Sequence, residues 1–287
     1  MTGLIDQLLT GLQILLPHHL VTRAAHALAT CRIGWFKNLM IRVFARIFKI
    51  NWAEAATRNP REYEHFNAFF TRALKPGART IAAGTGLVVS PCDGTISACG
   101  PIKGTEIFQA KGSVYSVRSL LADKSQAALF SDGQFATIYL SPRDYHRIHM
   151  PVSGQLQSMT HVPGRLFSVA PYTVRCLKGL FTRNERSIHL LQTRYGPVAL
   201  AMIGAMVVGS METVWHGVIN PPRGRELKVS RYQGGQIPAP LARGEEMGRF
   251  NMGSTIILLF PANSVEWLPE LSPGTSVRMG QPIGRVN

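Results

Sequence analysis

The hydrophobic pattern of the chain changes near residue 75, and this change constrains the fold more than any other feature. Before that point, apolar residues recur at three- and four-residue steps, which is the spacing of one face of an α-helix. After Pro76, short β-prone runs are separated by Gly and Pro, which is typical of strands joined by turns. We therefore expect an α+β protein, with a helical region at residues 1–75 and a mostly antiparallel β-rich domain at residues 76–287.

Two amphipathic helices are predicted in the N-terminal region. The first begins near Leu4 and ends before Pro17, and the second carries seven apolar residues on one face between Phe36 and Phe48. Residues 1–50 contain six Lys or Arg but a single acidic residue, Asp6. A large apolar face with basic flanks is typical of a helix that lies in the headgroup layer of a membrane. The alternative is that the same face packs on the protein core.

The β-rich part is predicted from its apolar runs and turn signals. The predicted strands cover residues 87–90, 135–140, 198–208, 255–260 and 264–268. Turn signals occur at Asp93-Gly94, Asp132-Gly133 and Pro273-Gly274. The stretch 221–240 is rich in Pro, Gly and Arg, and we expect it to form a loop.

The charge balance indicates the class of partner. The chain has 31 Lys and Arg against 16 Asp and Glu, a formal charge of +15. Such an excess favours a polyanion, either nucleic acid or an anionic membrane. No helix-turn-helix, RNP-type or zinc-finger pattern occurs, so a nucleic-acid partner is not expected.

The cysteines and the apolar runs bear on the compartment. The 4 cysteines form no zinc-module spacing, and so few in a long chain suit a reducing compartment. No apolar run is long enough to span a bilayer, and the first residues lack the basic start of a secretory signal. We expect neither a spanning helix nor a cleavable signal.

The segment SPRDYHRIHMP contains two histidines, His146 and His149, three positions apart. They can be a metal pair, a general base with a helper, or structural histidines. Zinc needs three or four ligands, and no spacing motif joins His161 or His189 to this pair. We therefore expect no metal.

Two further segments can complete a catalytic group. Asp93 precedes Gly94 and serves either as a turn residue or as the carboxylate that orients a histidine in a nucleophile–base–carboxylate triad. Gly253-Ser254 immediately precedes an apolar strand, which is usually no more than a strand entry. Because glycine leaves its carbonyl open, the hydroxyl of Ser254 can attack the preceding peptide bond if a base lies nearby.

These three segments, in this order, resemble the bacterial phosphatidylserine decarboxylase family. The similarity runs over nearly the whole chain. Besides SPCDGTIS and SPRDYHRIHMP, it includes the helix end with Phe70, Arg72 and Leu74, and the stretches QAKG, PGRLFSV, FTRNER and VGSMETVW. The last segment, MGRFNMGST, belongs to the longer stretch GEEMGRFNMGST, residues 244–255. Many members have Leu at the position of Met252, a departure that changes little in volume.

The resemblance implies a self-processing enzyme. Members cleave themselves between the Gly and Ser of this motif, here Gly253 and Ser254. The products would be a β subunit, residues 1–253, and an α subunit, residues 254–287, which stay together as a heterodimer; further oligomerisation is left open. The catalytic relay maps onto Asp93, His149 and Ser254.

The resemblance also implies the chemistry and the substrate. Ser254 would become a pyruvoyl group that forms a Schiff base with the amine of phosphatidylserine, so that carbon dioxide leaves and phosphatidylethanolamine forms without an added cofactor or metal. The first histidine, His146, is expected at the substrate carboxylate. Arg165, Phe167 and Ser168 are predicted to line the headgroup pocket; alternatively Phe167 is core and Arg165 is solvated. We expect a peripheral protein on the cytoplasmic face of the cell membrane, bound to anionic phospholipid.

Two other functions fit parts of the sequence. A serine or metal-dependent hydrolase would use Ser254, His149 and Asp93 in an intact chain. A non-enzymatic membrane-surface module would explain the basic amphipathic helices but leave the Asp, His and Ser segments without a role.

Overall fold

The computed structural model describes residues 3–109, 113–207, 210–219, 226–232, 238–252 and 255–287. These residues form eight α-helices, one short 3₁₀-helix and seventeen β-strands. The helices are α1 (Leu4–Leu15), α2 (His18–Ala29), α3 (Gly34–Ile47), the 3₁₀-helix (Pro60–Glu62), α4 (Phe66–Phe70), α5 (Val117–Leu121), α6 (Lys124–Ala128), α7 (Pro171–Cys176) and α8 (Leu180–Arg183).

The strands begin after the last N-terminal helix, as the change of pattern predicts. They are β1 (Leu87–Val89), β2 (Gly94–Pro101), β3 (Glu106–Gln109), β4 (Ser113–Ser116), β5 (Gln134–Tyr139), β6 (Arg147–His149), β7 (Gln155–Val162), β8 (Arg186–Thr193), β9 (Gly196–Ile203), β10 (Ser210–Thr213), β11 (Gly217–Val218), β12 (Lys228–Arg231), β13 (Glu246–Asn251), β14 (Thr255–Phe260), β15 (Val265–Trp267), β16 (Ser276–Val277) and β17 (Pro282–Val286).

The largest sheet has eight strands in the order β12-β7-β8-β9-β14-β5-β2-β16. Its pairings are antiparallel, and β14 lies between β9 and β5 with every one of its residues buried. Smaller sheets have the orders β11-β10-β13-β6, β1-β17-β15 and β3-β4. The α+β prediction with a mostly antiparallel β part is therefore confirmed.

Two local predictions differ from the structure. The apolar run 198–208 forms a shorter strand, since β9 ends at Ile203 and the amide of Gly204 instead donates to the carbonyl of Glu185 at 2.8 Å. Residue 208 lies outside the described residues. The loop predicted at 221–240 contains a strand, β12, because Lys228–Arg231 pair with the edge of β7. Exposed polar residues on an edge strand give no apolar signal.

The N-terminal helices build a small hydrophobic cluster of their own. Its buried members come from α2, α3, α4 and the segments beside them: Ala29, Ile41, Ala45, Ile50, Tyr63, Phe66, Phe69 and Phe70. Phe44 packs on Phe66 with ring centroids 5.1 Å apart. On α3, therefore, part of the apolar surface packs inward, while Leu39, Val43 and Ile47 remain exposed.

The helical region also rests on the β-rich body. Asp6 of α1 forms an ion pair with Arg175 of α7 at 2.6 Å. The side chain of Gln13 accepts a hydrogen bond from the amide of Ser168 at 3.0 Å, and His19 approaches the carbonyl of Gly164 at 3.1 Å. These contacts fix α1 and α2 against residues 164–175. Of the helices that the structure describes, none combines the length and apolar character needed to cross a bilayer.

One buried histidine outside the candidate site makes the fold sensitive to acid. His189 of β8 is 0% exposed, and neither ring nitrogen has a hydrogen-bond partner among the described residues. Burial lowers its pKa to about 3. Histidine in an unfolded chain has a pKa of about 6.5, so below that pH the unfolded chain binds more protons than the folded chain.

We expect His189→Leu to make the protein less sensitive to acid. Each such histidine lowers the free energy of unfolding by up to about 1.4 kcal/mol per pH unit as the pH falls from its unfolded toward its folded pKa. The measurement is the urea midpoint of the full chain at a series of pH values. The control is His216→Gln at an exposed histidine, which should leave the change of the urea midpoint with pH as in wild type. An unaltered slope in His189→Leu would show that this histidine is not held neutral.

Candidate active site

The register of the large sheet brings the three motif segments to the same end of three neighbouring strands, β2, β5 and β14. Strands β2 and β14 both flank β5 and run antiparallel to it, and Thr95 and Thr255 both pair with Tyr139. Asp93 precedes β2, and the start of β14 follows the Gly-Ser pair. The chain leaves β5 at Tyr139 and enters the segment that carries both motif histidines. Neighbouring strands of one sheet therefore assemble residues that are far apart in sequence.

Gly253 and Ser254 lie outside the described residues, but the two residues before them make specific contacts. Asn251 is the last residue of β13. Its side-chain Nδ2 donates to the hydroxyl of Ser210 at 2.7 Å, and its Oδ1 accepts from the side-chain amide of Asn67 at 3.0 Å. Met252 packs against the N-terminal cluster and has φ 77°, a left-handed conformation that non-Gly residues rarely adopt. The chain is thus held firmly and bent unfavourably one residue before Gly253.

Asp93 is buried and fixed by Arg79. The guanidinium donates to both carboxylate oxygens, with Nε at 2.8 Å from Oδ1, and the amide of Met279 donates to Oδ1 at 2.9 Å. Arg79 also forms an ion pair with Glu54 at 2.9 Å. Burial alone would lower the pKa of Arg79, but hydrogen bonds and charge attraction from Asp93 and Glu54 raise it. The carboxylate of Asp93 therefore has a single orientation.

His149, at the end of β6, is held as a neutral base. Its Nδ1 lies 2.8 Å from the carbonyl oxygen of Gly244, which can only accept, so Nδ1 carries the proton. Nε2 is then the acceptor and receives the hydroxyl of Tyr145 at 3.1 Å. Burial lowers the pKa of His149, and burial raises the pKa of Tyr145 to about 12, so the phenol stays a donor. The ring presents an unprotonated Nε2.

The carboxylate and the imidazole of the predicted relay interact through charge. The sequence suggested that Asp93 holds the tautomer of His149, but the Gly244 carbonyl occupies Nδ1 and Arg79 binds Asp93. Asp93 nevertheless lies near enough to raise the pKa of His149, against the lowering by burial. This arrangement favours an imidazolium once His149 has taken a proton. The relay of Asp93, His149 and Ser254 stays a prediction.

His146 is completely enclosed, with 0% of its surface exposed. Its ring stacks on Phe70 of α4 with centroids 4.1 Å apart. Within the described residues neither ring nitrogen makes a hydrogen bond of good geometry. Burial lowers its pKa to about 3, against a smaller raising effect of the nearby backbone of Ser141 and Pro142. His146 precedes β6 and His149 ends it, so the two histidines lie on extended chain rather than on one helical face. No group of three or more metal-ligating side chains occurs in the part of the chain that is described.

The predicted pocket residues contact the N-terminal helices. Phe167 belongs to the main core and meets the ring of His18 with centroids 4.6 Å apart. Ser168 is half-buried and bonds to Gln13, whereas Arg165 is exposed. These packing contacts account for Phe167 without a ligand. A role for the three residues in headgroup binding stays a prediction.

The structure adds residues that sequence reasoning missed. Arg79 lies outside the motifs, and Gly244 begins the last of them but was given no role; only the fold brings Arg79 to Asp93 and the carbonyl of Gly244 to His149. Tyr145 lies inside the histidine segment, where a tyrosine four residues before the candidate base was the available signal. Arg72 was noted as part of a helix end but was given no role.

The comparisons with known proteins agree with this geometry. The family model described as phosphatidylserine decarboxylase matches residues 66–285. A second, described as PSD, matches residues 8–49. The chain belongs to the phosphatidylserine decarboxylase family. The resemblance found in the sequence is therefore confirmed.

Curated relatives match over almost their whole length. A phosphatidylserine decarboxylase proenzyme of Stutzerimonas stutzeri is 50% identical over 98% of this chain and 95% of its own. Proteins of the same name from Pseudomonas fluorescens and Azotobacter vinelandii are 52% and 50% identical; they cover 95% and 98% of this chain, and 95% and 99% of their own lengths. The similarity thus includes the N-terminal helices as well as the β-rich body.

The charge interaction between Asp93 and His149 can be tested directly. We expect Asp93→Asn to lower the pKa of His149, because it removes an anion whose charge raises that pKa. The measurement is NMR titration of the histidine ring carbons in the full chain, with the signal identified by its absence in His149→Gln. Asp144→Asn is the control, since this carboxylate is not among the charges that shift His149. A pKa that rises or stays the same would exclude the interaction.

Proposed function

We propose that this chain is a self-processing phosphatidylserine decarboxylase that cleaves itself between Gly253 and Ser254. The proposal rests on the register around Tyr139, which gathers Asp93, the histidine segment and the start of β14 in a chain about 50% identical to phosphatidylserine decarboxylase proenzymes. The mature enzyme converts phosphatidylserine to phosphatidylethanolamine. Its parts are a β subunit, residues 1–253, and an α subunit, residues 254–287.

In the cleavage step, His149 acts as the base. Its neutral Nε2 takes the proton of the Ser254 hydroxyl in place of the Tyr145 hydrogen bond, and Asp93 stabilises the resulting imidazolium. The Ser254 oxygen then attacks the carbonyl carbon of Gly253. His149 gives its proton to the leaving nitrogen as the peptide C–N bond breaks, so that an ester and a free amine form. The left-handed backbone conformation of Met252 costs about 1–3 kcal/mol. Cleavage of the next peptide bond but one, between Gly253 and Ser254, can release this strain.

The ester then breaks by elimination. The α-proton of residue 254 is lost, the bond from its β-carbon to oxygen breaks, and the new carboxylate of Gly253 departs. The dehydroalanine that remains tautomerises to an imine, and water converts the imine to a ketone with release of ammonia. No encoded side chain carries such a carbonyl, which explains why the chain modifies itself.

The surroundings of the cleavage site fit a pyruvoyl group. Thr255 Oγ1 and both ring nitrogens of His146 are buried polar atoms without a partner among the described residues. The pyruvoyl group supplies a ketone that condenses with the substrate amine and draws electrons from the bond to the departing carbon dioxide. We place His146 at the substrate carboxylate, where burial keeps the imidazole neutral.

We further propose that the N-terminal helices hold the enzyme on an anionic membrane. Fourteen large apolar side chains of α1–α3 and their connections are exposed, against seven in the rest of the described chain. Such a concentration is typical of a surface that contacts lipid. The fourteen are Leu4, Ile5, Leu8, Leu9, Leu12, Ile14, Leu15, Leu20, Leu28, Ile33, Trp35, Leu39, Val43 and Ile47.

A basic groove beside this apolar surface suits lipid headgroups. It has a volume of about 500 Å³, and its lining includes Arg42, Arg46, Lys49, Arg58 and Trp52. No carboxylate within the described residues forms an ion pair with these four cations. Because the cytoplasmic leaflet carries anionic lipids, we propose peripheral binding at the cytoplasmic face.

Self-cleavage is tested by replacing the proposed nucleophile. Wild-type protein should run as two fragments on a denaturing gel, and Ser254→Ala as one full-length band, because alanine has no hydroxyl to attack the Gly253 carbonyl. Ser264→Ala is the control and should be cleaved like wild type. A Ser254→Ala protein that still splits into the same two fragments would falsify the cleavage mechanism.

Membrane binding is tested by removing charge from the basic groove. The triple variant Arg42→Gln, Arg46→Gln, Arg58→Gln should bind vesicles of phosphatidylcholine and phosphatidylglycerol on the order of 100-fold more weakly at low salt, since each cation contributes about 1 kcal/mol. Vesicle sedimentation measures the affinity. The control replaces three exposed arginines of the β-rich body, Arg118, Arg231 and Arg285. Equal weakening by both triple variants would show that net charge, and not the groove, determines binding.

A further inference from the structure

Arg72 is a buried cation whose hydrogen-bonding capacity is largely unused. It follows α4 and is only 5% exposed. Its Nη2 donates to the carbonyl of Arg143 at 3.2 Å, and its guanidinium lies 5.5 Å from the ring centre of Phe69. Nε and Nη1 have no partner among the described residues. Buried arginine nitrogens are rarely left in this state, because desolvation of an unpaired charge is costly.

A second buried arginine shows how this fold satisfies a structural guanidinium. Arg186 is 3% exposed, and its three nitrogens donate to four carbonyl oxygens at 2.6–2.9 Å. Those carbonyls belong to Ser119, Leu120, Thr182 and Asn184. Arg72 is as deeply buried but has one such bond, so packing alone does not explain its place.

The acidic groups around Arg72 already bind other partners. Asp93 and Glu54 attract it from a distance, but both bind Arg79 directly. Arg79 repels Arg72, and Tyr63 donates its hydroxyl to the carbonyl of Thr57. Within the described residues, Arg72 therefore has no anion of its own.

The unpaired guanidinium lies beside the second unsatisfied group of the site. Arg72 binds the carbonyl of Arg143, three residues before His146, and the ring of His146 stacks on Phe70, two residues before Arg72. Arg72 also helps to lower the pKa of His146, whose ring nitrogens have no partner in the described chain beyond the nearby backbone of Ser141 and Pro142. The carbonyl of His146 accepts a hydrogen bond from the backbone amide of Phe250 at 3.0 Å. Phe250 is three residues before Gly253. The two unused donor nitrogens of Arg72, with a neutral imidazole beside them, form a site for an oxyanion.

We propose that Arg72 binds the carboxylate of the substrate headgroup, with His146 as its neighbour in the same buried subsite. The inference rests on the proposed function, which supplies the substrate. A carboxylate is favoured over the headgroup phosphate because both groups are deeply buried, and His146 is hydrogen-bonded to Phe250, which precedes the Gly-Ser pair by three residues. The reacting carbon must lie at that pair. Arg72 also keeps that carboxylate ionised, which is the form that loses carbon dioxide.

This role predicts a particular kinetic change. Carbon dioxide is neutral, so the attraction of Arg72 for the carboxylate is lost as the reaction proceeds and contributes to substrate binding rather than to the chemical step. Removing the guanidinium should therefore raise KM by ~10- to 100-fold, the range expected for a charge-assisted hydrogen bond. The value of kcat should stay unchanged or rise slightly.

The experiment compares Arg72→Met and Arg72→Lys with the matched Arg186→Met in self-cleaved enzyme. Carbon dioxide release is measured over a range of phosphatidylserine concentrations in detergent micelles, and inhibition by phosphatidylethanolamine, which lacks the carboxylate, is measured in parallel. We expect Arg72→Met to raise KM without weakening inhibition by phosphatidylethanolamine, and Arg72→Lys to raise KM less. Because it removes an unpaired buried charge, Arg72→Met should keep or raise the thermal midpoint, whereas Arg186→Met should lower the midpoint and leave KM unchanged.

Three outcomes would overturn the inference. The first is an unchanged KM in Arg72→Met, and the second is an equal loss of phosphatidylserine and phosphatidylethanolamine binding, which would place the phosphate at Arg72. The third is a loss of stability and kcat like that of a structural arginine. Failure of the proposed function is a separate result, since wild-type protein would then release no carbon dioxide at all.

Discussion

The position of β14 between β9 and β5 is the constraint on which the rest of the structure depends. Its residues are buried on both faces, and its first residue, Thr255, pairs with Tyr139 and Ile203. The chain must therefore pass from Asn251, in a different sheet, into the middle of the large sheet within a few residues. A strand so deeply placed keeps its own segment bound if the chain is cut before it. Strands β16 and β17 add pairings with β2 and β1, so the α subunit would stay attached by hydrogen bonds and core packing after cleavage.

Helix α4 joins the catalytic and membrane-binding parts of this account. Asn67 holds Asn251, Phe70 stacks on His146, and Arg72 follows at the end of the helix. The opposite side of the same helical cluster is α3, which exposes apolar side chains and contributes cations to the basic groove. The N-terminal helices therefore contact the site residues as well as forming the proposed lipid-binding surface. If they bind lipid as proposed, the active site lies close to the layer that contains its substrate.

Elements with a strong local pattern were predictable from sequence. The three- and four-residue spacing gave α1 and α3, and the apolar runs gave β5 and β14 almost to the residue. The edge strand β12 was missed because its exposed polar residues pair through the backbone, which leaves no apolar pattern. The motif residues Asp93, His146 and His149 were predicted as site residues, and the fold brings their segments together. Their partners Arg79, Gly244 and Arg72 depend on non-local packing, which no local pattern records, and the tautomer of His149 follows from a main-chain carbonyl 95 positions away.

The most direct test of the central claim is the intact mass of the purified wild-type protein. The account predicts two fragments, residues 1–253 and 254–287, with the smaller one lighter than its encoded sequence by the mass of one ammonia. That deficit reports both the position of the cut and the conversion of Ser254 to a ketone. A single species with the full encoded mass, or a small fragment that retains its serine, would contradict the account.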